Sequence, residues 1–157
     1  RESFSSHLED ILNGIVDFLK ETPEARAVWP VHPNPRVHEI AAKVLANETR
    51  VQQVEPLPYP QFIRLLTSAR VVVTDSGGIQ EEAPSLGKPV VVARDRTERP
   101  EALAGGANRL AGRNRETVYR ELRRAWLETP YSGVIPAANP FGDGLAGRRI
   151  ASHLTAS

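Results

Sequence analysis

The sequence contains no cysteine and no methionine. Without cysteine there is no disulfide scaffold, no thiolate nucleophile and no cysteine zinc site, and the absence agrees with a reducing, cytoplasmic setting. A natural open reading frame begins with methionine, so the chain is expected to be a fragment or a processed product. No apolar run approaches the roughly 20 residues of a membrane span. The start, Arg1-Glu2-Ser3-Phe4, also lacks the apolar stretch of a signal peptide. A soluble cytoplasmic protein with no membrane partner is the expectation. An excess of one charge is missing too. Twenty basic and 19 acidic residues leave a net charge of +1, which gives nucleic acid no concentrated basic face to bind. Arg120, Arg123 and Arg124 come nearest to a cluster, but Glu121 and Glu128 interleave them, as on a solvated helix face. No internal repeat or low-complexity segment is evident.

What the chain does have is 157 residues, 40% of them hydrophobic and 25% charged. That suffices for one ordinary core and is short for two, so a single domain over residues 1–157 is expected. Ser6-His7-Leu8-Glu9 has the form of a capping box, and Leu8, Ile11, Leu12, Ile15, Val16 and Leu19 follow at helical spacing. A helix over about 6–20 is predicted. Ala27 to Val31 reads as a strand ended by His32-Pro33-Asn34-Pro35, where proline forbids regular structure. Helix and strand then alternate: Val37 to Leu45, Val51 to Val54, a helix through Phe62, Ile63, Leu65 and Leu66, Val71 to Val73, Gly78 to Leu86, and Pro89 to Val92. A last strand at Asn108 to Ala111 precedes a helix from Glu116 to Leu127. A Pro- and Gly-rich stretch, Pro130 to Gly144, leads to a terminal helix at about 144–156. Continuous apolar strands with short connections predict an α/β fold, a Rossmann-like parallel sheet flanked by helices.

In such a sheet, ligands bind beyond the carboxyl ends of the strands, where helix N-termini present unpaired N–H groups. Asp75-Ser76-Gly77-Gly78 falls at one of these ends. Adjacent glycines let the main chain approach an anion, and the helix dipole and the Ser76 hydroxyl favour phosphate there. Glu82, one turn beyond Gly78, is placed to accept hydrogen bonds from ribose hydroxyls. Taken alone the turn is ambiguous, because glycines also serve tight strand-to-helix turns that bind nothing. His32, at a strand end, is open to three readings: ligand, base or plain polar loop residue. His7, His38 and His153 lie in predicted helices with no partner at metal-ligand spacing. No metal and no cofactor are expected.

The wider run from Thr74 to Val90, TDSGGIQEEAPSLGKPV, followed by Arg94 to Glu101, RDRTERPE, resembles the signature of the non-hydrolysing UDP-N-acetylglucosamine 2-epimerases. Pro30 to Pro35, Glu55 to Tyr59 with Phe62, and Asn139 to Gly144 extend the resemblance over nearly the whole chain. Pro60, Gln61 and Ala102 to Gly106 depart from the pattern in detail. The resemblance implies the C-terminal half of a GT-B-type enzyme, with two Rossmann-like domains around a cleft and the N-terminal domain absent. It implies that Ser76, Gly77 and Gly78 bind the diphosphate, that Glu82 binds ribose, that Phe62 and the backbone near Leu57 border uracil, and that Arg99 contacts substrate. Without the resemblance, Arg99 reads as a surface pair with Glu98 or Glu101. The resemblance further implies that His32 belongs to a second, activating UDP-N-acetylglucosamine site.

The activity implied is interconversion of UDP-N-acetylglucosamine and UDP-N-acetylmannosamine by elimination and re-addition of UDP. Its proton-handling carboxylates belong to the N-terminal domain, and a catalytic histidine is expected just before Arg1, so the catalytic residues fall outside this chain. The partners implied are UDP-N-acetylglucosamine and UDP, in a homodimeric full-length enzyme that serves polysaccharide synthesis. Two other readings stay open: a hydrolysing epimerase or another GT-B sugar-nucleotide enzyme, and a stand-alone nucleotide-binding domain.

Overall fold

The computed structural model describes residues 2–129 and 139–155, with the backbone alone for residues 2–6. Most of the Pro- and Gly-rich stretch from Pro130 to Gly144 lies outside the described residues. The first helix, α1, spans Glu2–Glu21, so it is already under way at Ser6 and the expected capping box does not start it. No glycine or proline between Glu2 and Ser5 stops the helix from beginning earlier. Strand β1 is Ala27–Pro30. Helix α2, Pro35–Val44, has proline in its first turn and Asn34 as its cap, whose side chain accepts from the Arg36 N–H at 3.0 Å. Strand β2 (Val51–Val54), helix α3 (Tyr59–Ser68), strand β3 (Val72–Thr74), helix α4 (Gly77–Ser85) and strand β4 (Val90–Val92) follow. A short helix that the periodicity does not reveal, α5 (Pro100–Ala104), precedes strand β5 (Asn108–Leu110). Helix α6, Arg115–Glu128, is capped by Asn114, and α7, Ala146–Thr155, ends the described chain.

All strand pairs are parallel, as expected, but they form two separate pieces rather than one sheet. One piece is β1-β2, in register from Ala27↔Val51 to Pro30↔Val54; the other is β3-β4-β5, with Val72↔Val90 and Val90↔Asn108. Between β1 and β3 lies a cavity of about 510 Å³ lined along the full length of both strands. Leu8, Ile15 and Leu19 of α1, Phe62 and Leu65 of α3, and Trp126 of α6 close its sides. No strand among the described residues stands between these two edges.

The central strand β4 is wholly buried, with Val90, Val91 and Val92 at 0% exposure, which explains its unbroken apolar run. One face of β3 and β4 packs with Ile11, Phe18 and Leu19 of α1 and Val118, Leu122 and Ala125 of α6. The opposite face packs with Leu66 of α3 and Ala83 of α4. The crossing of α1 and α6 depends on Gly14. A Cβ there would stand 2.6 Å from the Arg115 carbonyl oxygen, a backbone atom that cannot yield without separating the helices. Beside that contact Asp17 receives two hydrogen bonds from Arg115, at 2.5 and 2.8 Å, and Tyr119 donates to Glu21 at 2.5 Å. Helix α7 buries none of its residues and exposes Ile150 and Leu154. No helix among the described residues is long and apolar enough to cross a membrane.

Candidate functional site

The chain leaves β3 at Thr74, passes Asp75, and enters α4 through Ser76 as its N-cap, with φ −78° and ψ 130°. That conformation is ordinary for a cap, yet the Ser76 hydroxyl makes no capping bond. The turn is fixed instead by the Ser76 N–H, which donates to Thr74 Oγ1 at 3.0 Å. The hydroxyl and the first N–H groups of α4 are thereby left for another acceptor or donor.

Gly77 and Gly78 decide between a tight turn and a binding cradle. The glycines with left-handed φ among the described residues are Gly87, Gly106, Gly112, Gly142 and Gly144; neither residue of the pair is among them. Gly87 shows what the ordinary need looks like, since φ 70° there ends α4. Nor does packing demand glycine at the head of the helix. A Cβ on Gly77 would meet nothing within 4 Å, and one on Gly78 only Ser76 Oγ at 3.9 Å. Side chains there would project into open space in front of a helix N-terminus, which is the space an anion occupies. Among the described residues, neither backbone conformation nor packing calls for glycine at these two positions.

Glu82 is half-buried on the next turn of α4, and its carboxylate makes no hydrogen bond among the described residues. Arg99 arrives from the other side, at the N-cap position of α5. Its Nε pairs with Glu81 Oε1, and its Nη1 donates to the Glu98 carbonyl at 3.1 Å. The expected surface pair with the Glu98 or Glu101 carboxylate is therefore not what forms. Glu81 is the acidic partner because the 97–99 loop folds back onto α4 rather than along itself. The hydrogen bond that Arg99 donates to Glu81 lifts the Arg99 pKa above its already high value, so the guanidinium stays charged.

The remaining predicted residues fall around this centre. Phe62 is half-buried in α3 and shares an apolar cluster with Ile79, the neighbour of Gly78, which ties α3 to the cradle. Leu57 is half-buried in the loop between β2 and α3. His32 is exposed just past β1, and its Nδ1 accepts from the Asn34 N–H at 3.3 Å, so it helps order its own loop. Among the described residues no hydrogen bond links Leu57 or His32 to the α4 cradle. No group of three His, Asp or Glu side chains suited to a metal ion occurs among them either.

Sequence reasoning missed the polar side chains beneath the cradle. Gln80 is fully buried; its Nε2 donates to the Ser76 carbonyl at 3.3 Å, and its Oε1 accepts from Thr97 Oγ1 at 2.5 Å. The Arg99 N–H donates to Thr97 Oγ1 at 3.1 Å. Pro84, inside α4, has no N–H for the Gln80 carbonyl four residues earlier, and Asn108 Nδ2 supplies that bond from β5 at 3.0 Å. The available signal was a glutamine between Ile79 and Ala83, on the inward side of a helix too short to show its period.

A family model for UDP-N-acetylglucosamine 2-epimerase matches residues 1–155. The chain belongs to that family. The UDP-N-acetylglucosamine 2-epimerase of Escherichia coli K12 is 43% identical over 155 residues, which are 98% of this chain and 41% of that protein. The crystal structure of the Neisseria meningitidis UDP-GlcNAc 2-epimerase bound to UDP-GlcNAc matches 94% of this chain and 41% of its own, with a TM-score of 0.84 and 36% identity. The Methanocaldococcus jannaschii UDP-GlcNAc 2-epimerase, in complex with UDP-GlcNAc and UDP, matches 96% of this chain and 41% of its own, with a TM-score of 0.76 and 32% identity. The chain thus spans about two fifths of the epimerases that it resembles, and its Rossmann-like α/β architecture is theirs.

Proposed function

We propose that this chain is the UDP-binding part of an enzyme that interconverts UDP-N-acetylglucosamine and UDP-N-acetylmannosamine. The observation that carries the reading is the open space before Gly77 and Gly78, glycines that neither conformation nor packing requires. In this reading the Ser76 hydroxyl and the N–H groups of Gly77 and Gly78 hold the diphosphate, and Glu82 accepts from the ribose hydroxyls. Arg99 donates to phosphate oxygens, Phe62 and Leu57 border the uracil, and His32 belongs to a second UDP-N-acetylglucosamine site. Solved relatives that hold UDP-GlcNAc or UDP support the choice of ligand.

The reaction has two demands. A proton must leave C2 of the sugar as the C1–O bond to UDP breaks, and the same centre must regain a proton from the opposite face when UDP returns. The departing diphosphate must also be stabilised as its charge grows. The cradle and Arg99 meet the second demand. The acid and base come from a part of the intact protein beyond these residues.

Two features support a domain that is completed from elsewhere. The chain covers 41% of the Escherichia coli K12 relative, and among the described residues no strand lies between β1 and β3. In the doubly wound order 3-2-1-4-5-6, β2, β1, β3, β4 and β5 fill positions 3, 2, 4, 5 and 6, leaving position 1 for a strand that feeds α1 by a right-handed crossover. That position is where the order reverses, so the end of the inserted strand comes out beside Thr74 and the cradle. In this reading the intact protein is a cytoplasmic homodimeric isomerase, and the 157-residue chain binds UDP without turnover.

Calorimetric titration of the chain with UDP tests the pose. Glu82→Ala should weaken binding without lowering the melting temperature, because Glu82 supports nothing within the described fold. Unchanged affinity contradicts the pose, and measurable epimerisation by the isolated chain contradicts the division of labour. Product analysis on the intact protein separates reversible epimerisation from hydrolysis to N-acetylmannosamine and UDP.

A further inference from the structure

We propose that Gln80 is a positioning residue that sets the spacing between the Ser76 to Gly78 cradle and Arg99, an inference that rests on the UDP-binding reading above. A primary amide buried at 0% exposure is tolerated only when its polar atoms are bonded. Gln80 places both ends of its amide on the two halves of the site. Its Nε2 donates to the carbonyl of Ser76, the first residue of the cradle, at 3.3 Å. Its Oε1 accepts from Thr97 Oγ1 at 2.5 Å, and that oxygen in turn accepts the Arg99 N–H at 3.1 Å. The backbone of Gln80 is anchored as well, through the Asn108 bond that Pro84 makes available. One buried side chain, on a residue whose backbone carbonyl is bonded to β5, therefore holds the head of α4 and the Arg99 loop at a set separation.

The contrast with Glu81 gives Gln80 its separate role. Glu81 grips the Arg99 guanidinium at a half-exposed surface, a contact that a ligand's phosphates can replace. Gln80 holds the Thr97 hydroxyl from inside, and that hydroxyl accepts the Arg99 N–H. The Thr97 to Gln80 bond therefore persists whether or not the guanidinium turns to a ligand, and Arg99 remains within reach of the cradle.

A double-mutant cycle on UDP affinity decides the matter, with Gln80→Leu and Arg99→Ala made singly and together. If Gln80 acts through Arg99, Gln80→Leu weakens UDP binding about tenfold in the parent and less than about twofold in the Arg99→Ala background. Equal losses in both backgrounds overturn the proposal. Should Gln80→Leu fail to fold, Thr97→Val breaks the same link at the surface end, and Thr97→Ser, which restores the hydroxyl, should recover the parent affinity. A loss that Thr97→Ser does not recover also overturns it. Hydrogen exchange at the Arg99 amide, followed in Gln80→Leu without ligand, supplies the readout that does not depend on UDP. Faster exchange supports the tether even if the parent chain does not bind UDP, which would instead defeat the functional reading. Unchanged exchange defeats the tether.

Discussion

Arg99 is ion-paired with Glu81, a residue of the same helix whose N-terminus forms the cradle. Their side chains are 36% and 40% exposed, so solvent screens the pair and it adds little to folding. A diphosphate brings more charge to the guanidinium than one carboxylate does, and it has to displace Glu81 to use all of it. Glu81→Gln should therefore raise UDP affinity about two- to fivefold at low ionic strength, and the gain should shrink as salt is added. Titration calorimetry at two ionic strengths measures this. An affinity that does not rise at low salt would show that Glu81 and UDP do not compete.

Two glycines in two helices should respond in opposite ways to the same substitution. At Gly78 an alanine methyl meets only Ser76 Oγ at 3.9 Å, and helical propensity favours alanine, by at most about 1 kcal/mol. Gly78→Ala should keep or slightly raise the melting temperature while UDP affinity falls about tenfold, since the methyl takes the anion's space. At Gly14 the methyl is driven to 2.6 Å from the Arg115 carbonyl oxygen. Gly14→Ala should cost about 1–3 kcal/mol, measured by chemical denaturation. A destabilised Gly78→Ala would return that glycine to a purely structural role.

This difference also marks how far the sequence could be read. The elements were legible because their signals are local: the unbroken Val90 to Val92 and the helical spacing from Leu8 to Leu19 and from Val37 to Leu45, although Asn34-Pro35, where α2 starts, reads as loop. The candidate cradle was legible as a residue pattern, while the open space around Gly77 and Gly78 shows only in the structure. Glu81 as the partner of Arg99 was not legible, because Glu98 and Glu101 are nearer in sequence and only the folding of the 97–99 loop onto α4 selects among the three. The same holds for Gln80, whose partners at 76, 97 and 108 come from three segments. The division of the sheet was also hidden, since each strand carries the same apolar signal whether its neighbour is present or not.

Acid should weaken the fold through Glu48. Arg50 donates to its two carboxylate oxygens from Nε at 2.9 Å and from Nη2 at 2.8 Å, and the Glu48 side chain is only 9% exposed. These bonds hold the Glu48 pKa below its usual value of 4.5. A carboxylate with a lowered folded pKa stabilises the fold above the unfolded value, and that contribution is lost as pH falls through the folded value. Asp17, whose pKa is lowered by Arg115, acts in the same direction at the α1–α6 crossing. The melting temperature should therefore drop as pH passes below 4.5, and Glu48→Gln should flatten part of that slope. Melting curves across this range test the assignment, and an unaltered slope in Glu48→Gln would remove Glu48 from it.

The edges of β1 and β3 face each other across the cavity. Ala27 and Val31 donate to Arg50 and Val54 at 2.9 Å, so β1 turns these residues toward β2 and its intervening Val28 toward the cavity. Likewise Val72 donates to Pro89 at 3.0 Å, which leaves Val73 turned toward the same cavity from the other side. Two parallel edges that no described strand covers are complementary to one more parallel strand. The Val28 and Val73 amides should exchange with solvent hydrogen much faster than Val72 in the 157-residue chain. In the intact protein both should slow by about a hundredfold or more as a strand pairs with them. Protection of both amides in the 157-residue chain would mean that β1 and β3 close on each other and that no strand is missing. Because such a strand would end beside Thr74, its arrival should also tighten UDP binding, so exchange protection and affinity should rise together in the longer protein.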